Sequence, residues 1–336
     1  MAKIKNVLQS TLGKSAASLS TNTLFQLTKQ QAILPFYHAI ADRPLAHIKN
    51  LYQVKSSKEF SDDLDYLLQH FKPVSLEQFF ALKSNPSKTQ KPYFLLSFDD
   101  GLREVKDVIA PILKAKGIPA VCFLNSEFVD NKALFFRYKA SLLIEEVNKS
   151  NSIRNAAKDF FQTEDAVTIL LAIKHNGQEQ LNQFANYIGY SFTDFLKNEQ
   201  PYLNKSDIVD LKQQGFDFGA HSANHPEYQY LPLEEQLWQT EESLNFIKYE
   251  IGVKLLSFSF PFTDFGVSKE FFTALNQTKQ TAATFGCAGM NEHSIPNHFQ
   301  RIAFEEKGLS GKEILNTEML YYLMKQPIGK NKITRG

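Results

Sequence analysis

Two short segments of the chain combine residue types and spacings that suit metal chemistry. Asp99-Asp100-Gly101 follows six mostly apolar residues, and His221 and His225 lie four residues apart. Adjacent carboxylates repel each other unless a cation or a shared proton relieves the repulsion. A glycine after a strand lets the chain turn, so that both carboxylates can reach one site. Imidazoles four residues apart lie on the same side of one helical turn and can reach one ion.

Each segment also has a simpler interpretation. One of the two aspartates can merely cap a helix that starts near Leu102, and a single histidine is often a structural residue. Together, however, one carboxylate and two imidazoles provide three protein ligands and leave positions open for water and substrate. The second carboxylate is then free to take a proton from water. We therefore interpret the two segments as one hydrolytic metal site.

The surrounding sequence alternates short apolar runs with amphipathic segments, which is typical of βα units around a parallel sheet. Residues 93–98, for example, form a mostly apolar run typical of a buried strand. Polar ends of barrel strands face the active-site mouth. Four predicted strands end in reactive or turn-forming residues, namely His38, Asp99-Asp100, His221 with His225, and Pro261-Phe262. The pattern therefore predicts an α/β fold that gathers these residues at one edge.

The alternation also suggests a domain organisation. Residues 1–31 are predicted to be an N-terminal helical extension, and residues 32–330 a barrel domain. From about 126 to 201 the alternation stops and the sequence becomes polar and helical in pattern, which indicates an insertion between barrel strands. We expect this insertion to cap the site.

Composition excludes some classes of function. Hydrophobic residues make up 43% and charged residues 22%, as in ordinary globular proteins. The 29 Phe and 13 Tyr can fill the core or stack on sugar faces. A net charge of +1 without a basic stripe argues against nucleic acid as a partner. The two cysteines, Cys122 and Cys287, lack metal-site spacing and are compatible with a reducing compartment.

Features near the start of the chain bear on its location. No window approaches 18 consecutive apolar residues, so no transmembrane helix is predicted. No continuous apolar region follows the first lysines, which argues against a secretory signal and leads us to expect a cytoplasmic protein. Ile4, Val7, Leu8 and Leu12 can form an apolar stripe, which either packs on the domain or makes weak peripheral contact with a membrane.

The two segments also carry a family resemblance. Ser97-Phe98-Asp99-Asp100-Gly101 followed by His221-Ser222-Ala223-Asn224-His225-Pro226 resembles the polysaccharide deacetylase family, which has the NodB homology domain. The resemblance extends over about residues 32–304, interrupted by the insertion. It implies a distorted (β/α) barrel and a hydrolase that removes an N-acetyl group from an amino sugar. The absence of a secretion signal suggests that this reaction serves synthesis of a surface glycan. The resemblance further implies that Asp99 is the general base and that Asp100, His221 and His225 bind a divalent metal, zinc foremost, with cobalt or another transition metal as alternatives.

A later segment of the chain departs from the family pattern. The stretch around Pro261 resembles the third family motif, in which the backbone N–H after the proline, here that of Phe262, helps to form an oxyanion hole. The arginine that usually precedes this proline is missing. Arg301 either supplies the missing charge and orients Asp99 or is a structural arginine.

Three histidines have less certain roles in this resemblance. Tyr37-His38 resembles a subgroup that acts on exopolysaccharides, so His38 is expected to contact substrate near the metal or to be a structural residue at a strand end. The general acid of the last motif has no clear match, and His293 and His298 both remain candidates. His298 and Pro261 are further expected contacts to the N-acetylated sugar.

Two other functions compete with the deacetylase. A glycosidase would use Asp99 and another carboxylate as its acid and nucleophile, but it leaves the histidine pair unexplained. A non-catalytic carbohydrate-binding or regulatory protein could retain the same fold, and the departures in the later motifs favour it. Metal-dependent turnover separates both from the deacetylase.

Overall fold

The computed structural model describes residues 16, 18–85, 91–306 and 308–335. The apolar stripe predicted from Ile4 to Leu12 lies outside these residues. The strands, in chain order, are β1 Ala32–Ile33, β2 Pro35–Tyr37, β3 Lys72–Pro73, β4 Tyr93–Phe94, β5 Leu96–Phe98, β6 Ala120–Leu124, β7 Asp217–Ala220, β8 Ser257–Ser259, β9 Ala283–Gly286, β10 Glu292–His293, β11 His298–Gln300, β12 Ile302–Ala303 and β13 Lys332–Ile333.

The described residues also form helices of three kinds. The α-helices, numbered in chain order, are α1 Thr21–Thr28, α2 Ser57–His70, α3 Leu76–Ser84, α4 Ala110–Lys116, α5 Phe136–Lys149, α6 Asn151–Phe161, α7 Ala166–Ala172, α8 Glu179–Tyr187, α9 Phe192–Glu199, α10 Lys205–Gln213, α11 Leu233–Asn245, α12 Lys269–Gln277 and α13 Gly311–Lys325. The π-helical segments are Val105–Ile109 and Phe246–Glu250, and the 3₁₀ segments are Val129–Asn131, His175–Gly177, Tyr228–Tyr230 and Gln326–Ile328. None of the described helices is both long and apolar enough to cross a membrane.

Eight strands form one parallel sheet in the order β11-β9-β8-β7-β6-β5-β2-β12. β11 and β12 are neighbouring parts of one chain segment, separated only by Arg301, yet they pair with opposite edges of the sheet. This segment therefore nearly closes the sheet into a barrel. The distorted (β/α) barrel predicted from the sequence is confirmed.

The barrel strands are apolar because both of their faces are covered. Every residue of β5 and β6 is buried, as expected for parallel strands that lie between a packed interior and outer helices. Their register pairs Tyr37 with Phe98 and Phe98 with Cys122. The residues that follow these strands therefore emerge together at the carboxyl edge of the sheet.

Side-chain caps fix the ends of several outer helices. Ser75 and Ser310 form capping boxes at the starts of α3 and α13, as their positions in the sequence predict. Ser56 caps α2 with a capping box of the same kind. Gly117 ends α4 with a φ of +64°, a conformation that glycine adopts without steric cost. Each cap typically contributes about 0.5–2 kcal/mol to stability.

The helical insertion lies between β6 and α10 and comprises α5 to α9. It has an apolar cluster of its own, which includes Leu143, Leu170 and Phe184. Ala39 and Ile48, from the segment after β2, belong to the same cluster. The insertion therefore packs against a segment that leaves the carboxyl edge of the barrel, where the predicted site residues lie.

Candidate active site

The turn after β5 directs both carboxylates to the same site. Asp100 and Gly101 have φ values of 71° and 65°, so the chain bends sharply as soon as the strand ends. Gly101 has no room for a side chain, because a Cβ there would lie 2.6 Å from Leu124 Cδ2. Asp99 still donates its N–H to the Tyr37 carbonyl at 3.0 Å, which anchors the start of the turn. The expected role of the glycine is therefore borne out by this backbone geometry.

The segment with the two histidines is a loop rather than the helical turn that the spacing suggested. Ser222 and His225 have φ values of 69° and 62°, and neither residue belongs to a helix. The Ser222 hydroxyl accepts the His225 N–H at 3.0 Å, and Gln239 Oε1 accepts the Ala223 N–H at 3.1 Å. Long-range contacts from α11 thus impose a conformation that local spacing does not predict.

This loop brings both imidazoles to one oxygen of Asp100. His225 Nε2 and His221 Nε2 lie 3.2 and 3.6 Å from Asp100 Oδ1. All three side chains are buried, and neither Asp100 Oδ1 nor His221 Nε2 has a hydrogen-bond partner among the described residues. The Ser259 carbonyl lies 2.8 Å from His221 Nδ1, so the proton of a neutral imidazole resides there and the Nε2 lone pair faces Asp100. Burial lowers the pKa of His221 to about 4, which keeps it neutral.

Asp99 is held beside this group by Arg301. The guanidinium donates two parallel hydrogen bonds to the carboxylate, Nη1 to Oδ1 at 2.8 Å and Nη2 to Oδ2 at 2.7 Å. Arg301 also donates to Ser97 and Ser259 and stacks over the Phe36 ring at 4.4 Å. Burial alone would raise the pKa of Asp99, but the charge and hydrogen bonds of Arg301, together with the nearby histidines, lower the pKa below its ordinary value. Asp99 is therefore an ionised carboxylate at neutral pH. Arg301 orients it, as one of the two hypotheses for this arginine proposed.

Pro261 and Phe262 follow β8, and the Phe262 ring packs against His225. Pro261 is buried, whereas Phe262 is 39% exposed and its ring centroid lies 4.6 Å from that of His225. Phe262 has a φ of 55°, a strained conformation that persists only where the surroundings impose it. Cys287 Sγ donates to the Phe262 carbonyl at 2.9 Å. Among the described residues the Phe262 N–H has no partner, so it is free to donate to a ligand.

His38 lies at the end of β2, next to the strand that carries Asp99. Glu305 binds it through three contacts: Oε2 lies 2.6 Å from His38 Nδ1, and Oε1 accepts the backbone N–H groups of His38 and Ala39. Burial alone would lower the pKa of His38, but the Glu305 carboxylate, together with Asp100 and Asp99, raises it to about 9. His38 is therefore a protonated donor at neutral pH.

This pair makes stability depend on pH in a defined direction. Because folding raises the pKa of His38 from 6.5 to about 9, the pair stabilises the fold fully below 6.5, and this stabilisation is lost as the pH rises through about 9. We expect the free energy of unfolding, measured by chemical denaturation, to fall across this window. Glu305→Gln keeps the shape of the side chain but removes its charge, so its profile should be flatter there. Equal slopes for the two proteins would contradict the assignment.

His298 does not belong to the group formed by Asp100, His221 and His225. Its Nδ1 lies 2.7 Å from Thr284 Oγ1, and its Nε2 lies 3.0 Å from Asp264 Oδ2. His293 lies beside it, and these three groups resemble a second set of metal ligands. However, Arg335 donates both to Asp264 and to His293 Nε2, so a guanidinium already neutralises this cluster. The expectation that His298 contacts substrate, and the candidacy of either histidine as general acid, find no support in this geometry.

Two residues of the site were not identified from the sequence. Glu305 follows Phe304 just after β12, so the strand-end rule that identified His38 could have found it. Tyr138 lies on α5 of the insertion, and its hydroxyl donates to Asp100 Oδ2 at 2.9 Å. No local pattern marks it, because the contact depends on how the insertion packs on the barrel.

The chain matches a known protein family. The model of the polysaccharide deacetylase family matches residues 86–283, more than half of the 336 residues. The chain belongs to the polysaccharide deacetylase family. Membership assigns this polysaccharide deacetylase to the carbohydrate deacetylases, which are hydrolases. The matched segment contains Asp99, Asp100, His221, His225 and Phe262, whereas His38 and Arg301 lie outside it.

Solved structures share the fold of this polysaccharide deacetylase. The Streptococcus pyogenes deacetylase PplD, in complex with acetate, is 14% identical with a TM-score of 0.56, over 86% of this chain and 98% of that one. A de-N-acetylase from Aggregatibacter actinomycetemcomitans is 16% identical with a TM-score of 0.55, over 84% and 99% of the two chains. IcaB from Ammonifex degensii is 14% identical with a TM-score of 0.53, over 86% and 97%. At these identities the likeness establishes the fold. None of the curated proteins matches the chain.

Proposed function

We propose that this polysaccharide deacetylase is a divalent-metal-dependent hydrolase that removes the N-acetyl group from an amino sugar of a glycan or glycan precursor. The observation that carries the proposal is the convergence of two imidazoles on one unpaired carboxylate oxygen, Asp100 Oδ1, beside the ionised Asp99. The family supplies the reaction class, and this geometry supports the metal-dependent form of it. Zinc is the proposed ion, and cobalt is the natural substitute.

The donor set suits such an ion. Zinc is bound by His nitrogen and carboxylate oxygen at about 2.0–2.2 Å, so two of its ligands lie roughly 3.3–3.5 Å apart. The separations of 3.2 and 3.6 Å from Asp100 Oδ1 are of this size. A buried acceptor and a buried nitrogen without partners are costly unless something binds them. Asp100, His221 and His225 are therefore the residues that would hold the ion.

The bound cation would supply Lewis acidity, which polarises the acyl carbonyl and makes water easier to deprotonate. Asp99 would accept the proton as water attacks the acyl carbon, a role supported by the two hydrogen bonds with which Arg301 holds its oxygens. The free N–H of Phe262 would donate to the oxyanion that develops. The C–N bond then breaks as the nitrogen takes up the proton that water gave to Asp99, so the products are a free amine and acetic acid and Asp99 is ionised again. His38, kept charged by Glu305, offers a donor to the sugar at the same edge.

The same contacts weigh against a glycosidase. A pair of carboxylates that cleaves a glycosidic bond needs one member free to act as acid or nucleophile on the sugar. Asp100 faces two imidazoles at Oδ1 and accepts the Tyr138 hydroxyl at Oδ2, so it is not free to act on the sugar as the second carboxylate.

The balance of products tests the proposed reaction. Incubation with N-acetylated oligosaccharides should release acetate and free amine in equal amounts, because hydrolysis of one amide yields one of each. New reducing ends should not form. Reducing ends without acetate would instead indicate a glycosidase. Sugar binding without acetate, by protein loaded with metal, would indicate a non-catalytic carbohydrate-binding protein.

A further inference from the structure

The helical insertion contacts the metal-binding group directly through Tyr138, a residue of the first turn of α5. Tyr138 is fully buried, and its hydroxyl donates to Asp100 Oδ2 at 2.9 Å. We propose that Tyr138 is a positioning residue, which fixes the carboxylate of Asp100 so that a single oxygen faces the metal. The insertion is then part of the metal centre. This inference rests on the proposed function.

The two oxygens of the Asp100 carboxylate have different surroundings. A carboxylate can bind an ion through one oxygen or through both, and the terminal torsion of an aspartate is broad. Tyr138 occupies Oδ2, whereas Oδ1 lies 3.2 Å from His225 Nε2 and 3.6 Å from His221 Nε2. The hydrogen bond therefore selects both the rotation of the carboxylate and the oxygen that faces the two imidazoles. Hydrogen bonds of this kind orient metal ligands and tune their affinity.

The tyrosine is itself held in place from several sides. The His47 ring packs edge-on at 5.0 Å, and Phe135 does the same at 5.0 Å. Tyr202 stacks on it with centroids 6.3 Å apart. A phenol hydroxyl stays protonated at neutral pH, so it remains a donor. Because its ring has fixed neighbours, the hydroxyl reaches Asp100 without further loss of side-chain freedom.

The start of α5 also contacts a second ligand. The centroid of the Phe135 ring lies 4.3 Å from that of His225, and the Phe136 ring lies 6.2 Å from that of Phe262. Three neighbouring residues of the insertion thus face Asp100, His225 and the proposed oxyanion donor. Only Tyr138 does so through a hydrogen bond, so its effect can be separated from that of packing by removal of one oxygen atom.

The test compares two variants that each lose one buried hydroxyl from the same aromatic group. Tyr138→Phe removes the donor to Asp100. Tyr202→Phe is the matched control, because its hydroxyl accepts the Phe135 N–H at 3.1 Å and does not reach Asp100. Metal-free wild type and both variants are titrated with cobalt(II), followed by visible absorption and by competition with a chelator. Circular dichroism of each metal-free protein reports its fold.

We expect Tyr138→Phe to bind cobalt roughly 10–100-fold more weakly than wild type, as removal of a partner that orients a ligand usually does. The absorption spectrum of its bound cobalt should change as well, whereas Tyr202→Phe should stay within about twofold of wild type. Wild-type affinity and spectrum in folded Tyr138→Phe would overturn the inference and leave the proposed function intact. Loss of the native fold in metal-free Tyr138→Phe would also overturn it, since the role would then be structural. A wild type that binds no cobalt would instead refute the proposed function.

Discussion

Asp99→Asn is expected to lower kcat by about 10²–10⁴-fold, the range that a positioned general base usually contributes. The amide has nearly the size of the carboxylate but cannot accept the proton that water gives up. Bound metal should remain, because the three proposed ligands are unchanged. The measurement is acetate release at saturating substrate, with bound metal determined on the same preparation.

Asp99→Asn is also expected to lower the stability of the protein, because Asp99 is paired with Arg301. Loss of one member of a buried ion pair commonly costs about 3–5 kcal/mol, and Arg301 is left without a counter-ion. Its hydrogen bonds to Ser97 and Ser259 remain, so we expect a folded but less stable protein. Asp217→Asn is a suitable control, since Asp217 accepts the Leu76 N–H at the start of β7 and is remote from the carboxyl edge. A folded, metal-loaded Asp99→Asn protein with kcat within tenfold of wild type would refute the role of Asp99 as base.

His221→Ala is expected to remove both the bound metal and the activity. His221 is one of three proposed ligands. Removal of its imidazole should therefore weaken metal binding by more than the roughly 10–100-fold that loss of a ligand's hydrogen-bond partner causes. Metal analysis after gel filtration should find no stoichiometric zinc, and acetate release should match that of chelator-treated wild type. His225→Ala should behave in the same way, which provides a second variant if one of them folds poorly.

A surface histidine provides the control for this pair. His70 ends α2 and contacts Asn22 at the protein surface, so His70→Ala should keep both metal and activity. Stoichiometric metal in folded His221→Ala and His225→Ala would mean that the ion binds elsewhere. The proposed ligand set would then be wrong even if the enzyme proved to be a deacetylase.

The sequence predicted much of this barrel because its signals are local. Apolar runs such as residues 93–98 correspond to buried strands, and Ser75 and Ser310 cap the helices that follow them. The carboxylates of Asp99-Asp100 lie where a buried strand ends at a turn, as the glycine after them indicates. Burial, capping and turn formation each depend on a few neighbouring residues, so the local sequence pattern predicts them.

The parts that the sequence did not predict depend on distant contacts. The loop from His221 to His225 is not helical, because Gln239 of α11 holds its backbone N–H groups. The pairing of Arg301 with Asp99 was only one of two hypotheses, since 202 residues separate them. Tyr138 had no signal at all. In each case the deciding contact forms only after the barrel and the insertion have packed together.

The central claim is that this deacetylase hydrolyses an N-acetylated sugar with the help of a metal held by Asp100, His221 and His225. The most direct test is acetate release from a panel of N-acetylated sugars and oligosaccharides, before and after chelation and after addition of zinc or cobalt. We predict that chelation abolishes release and that one equivalent of either metal restores it. Acetate release that is unaffected by complete removal of metal would contradict the claim.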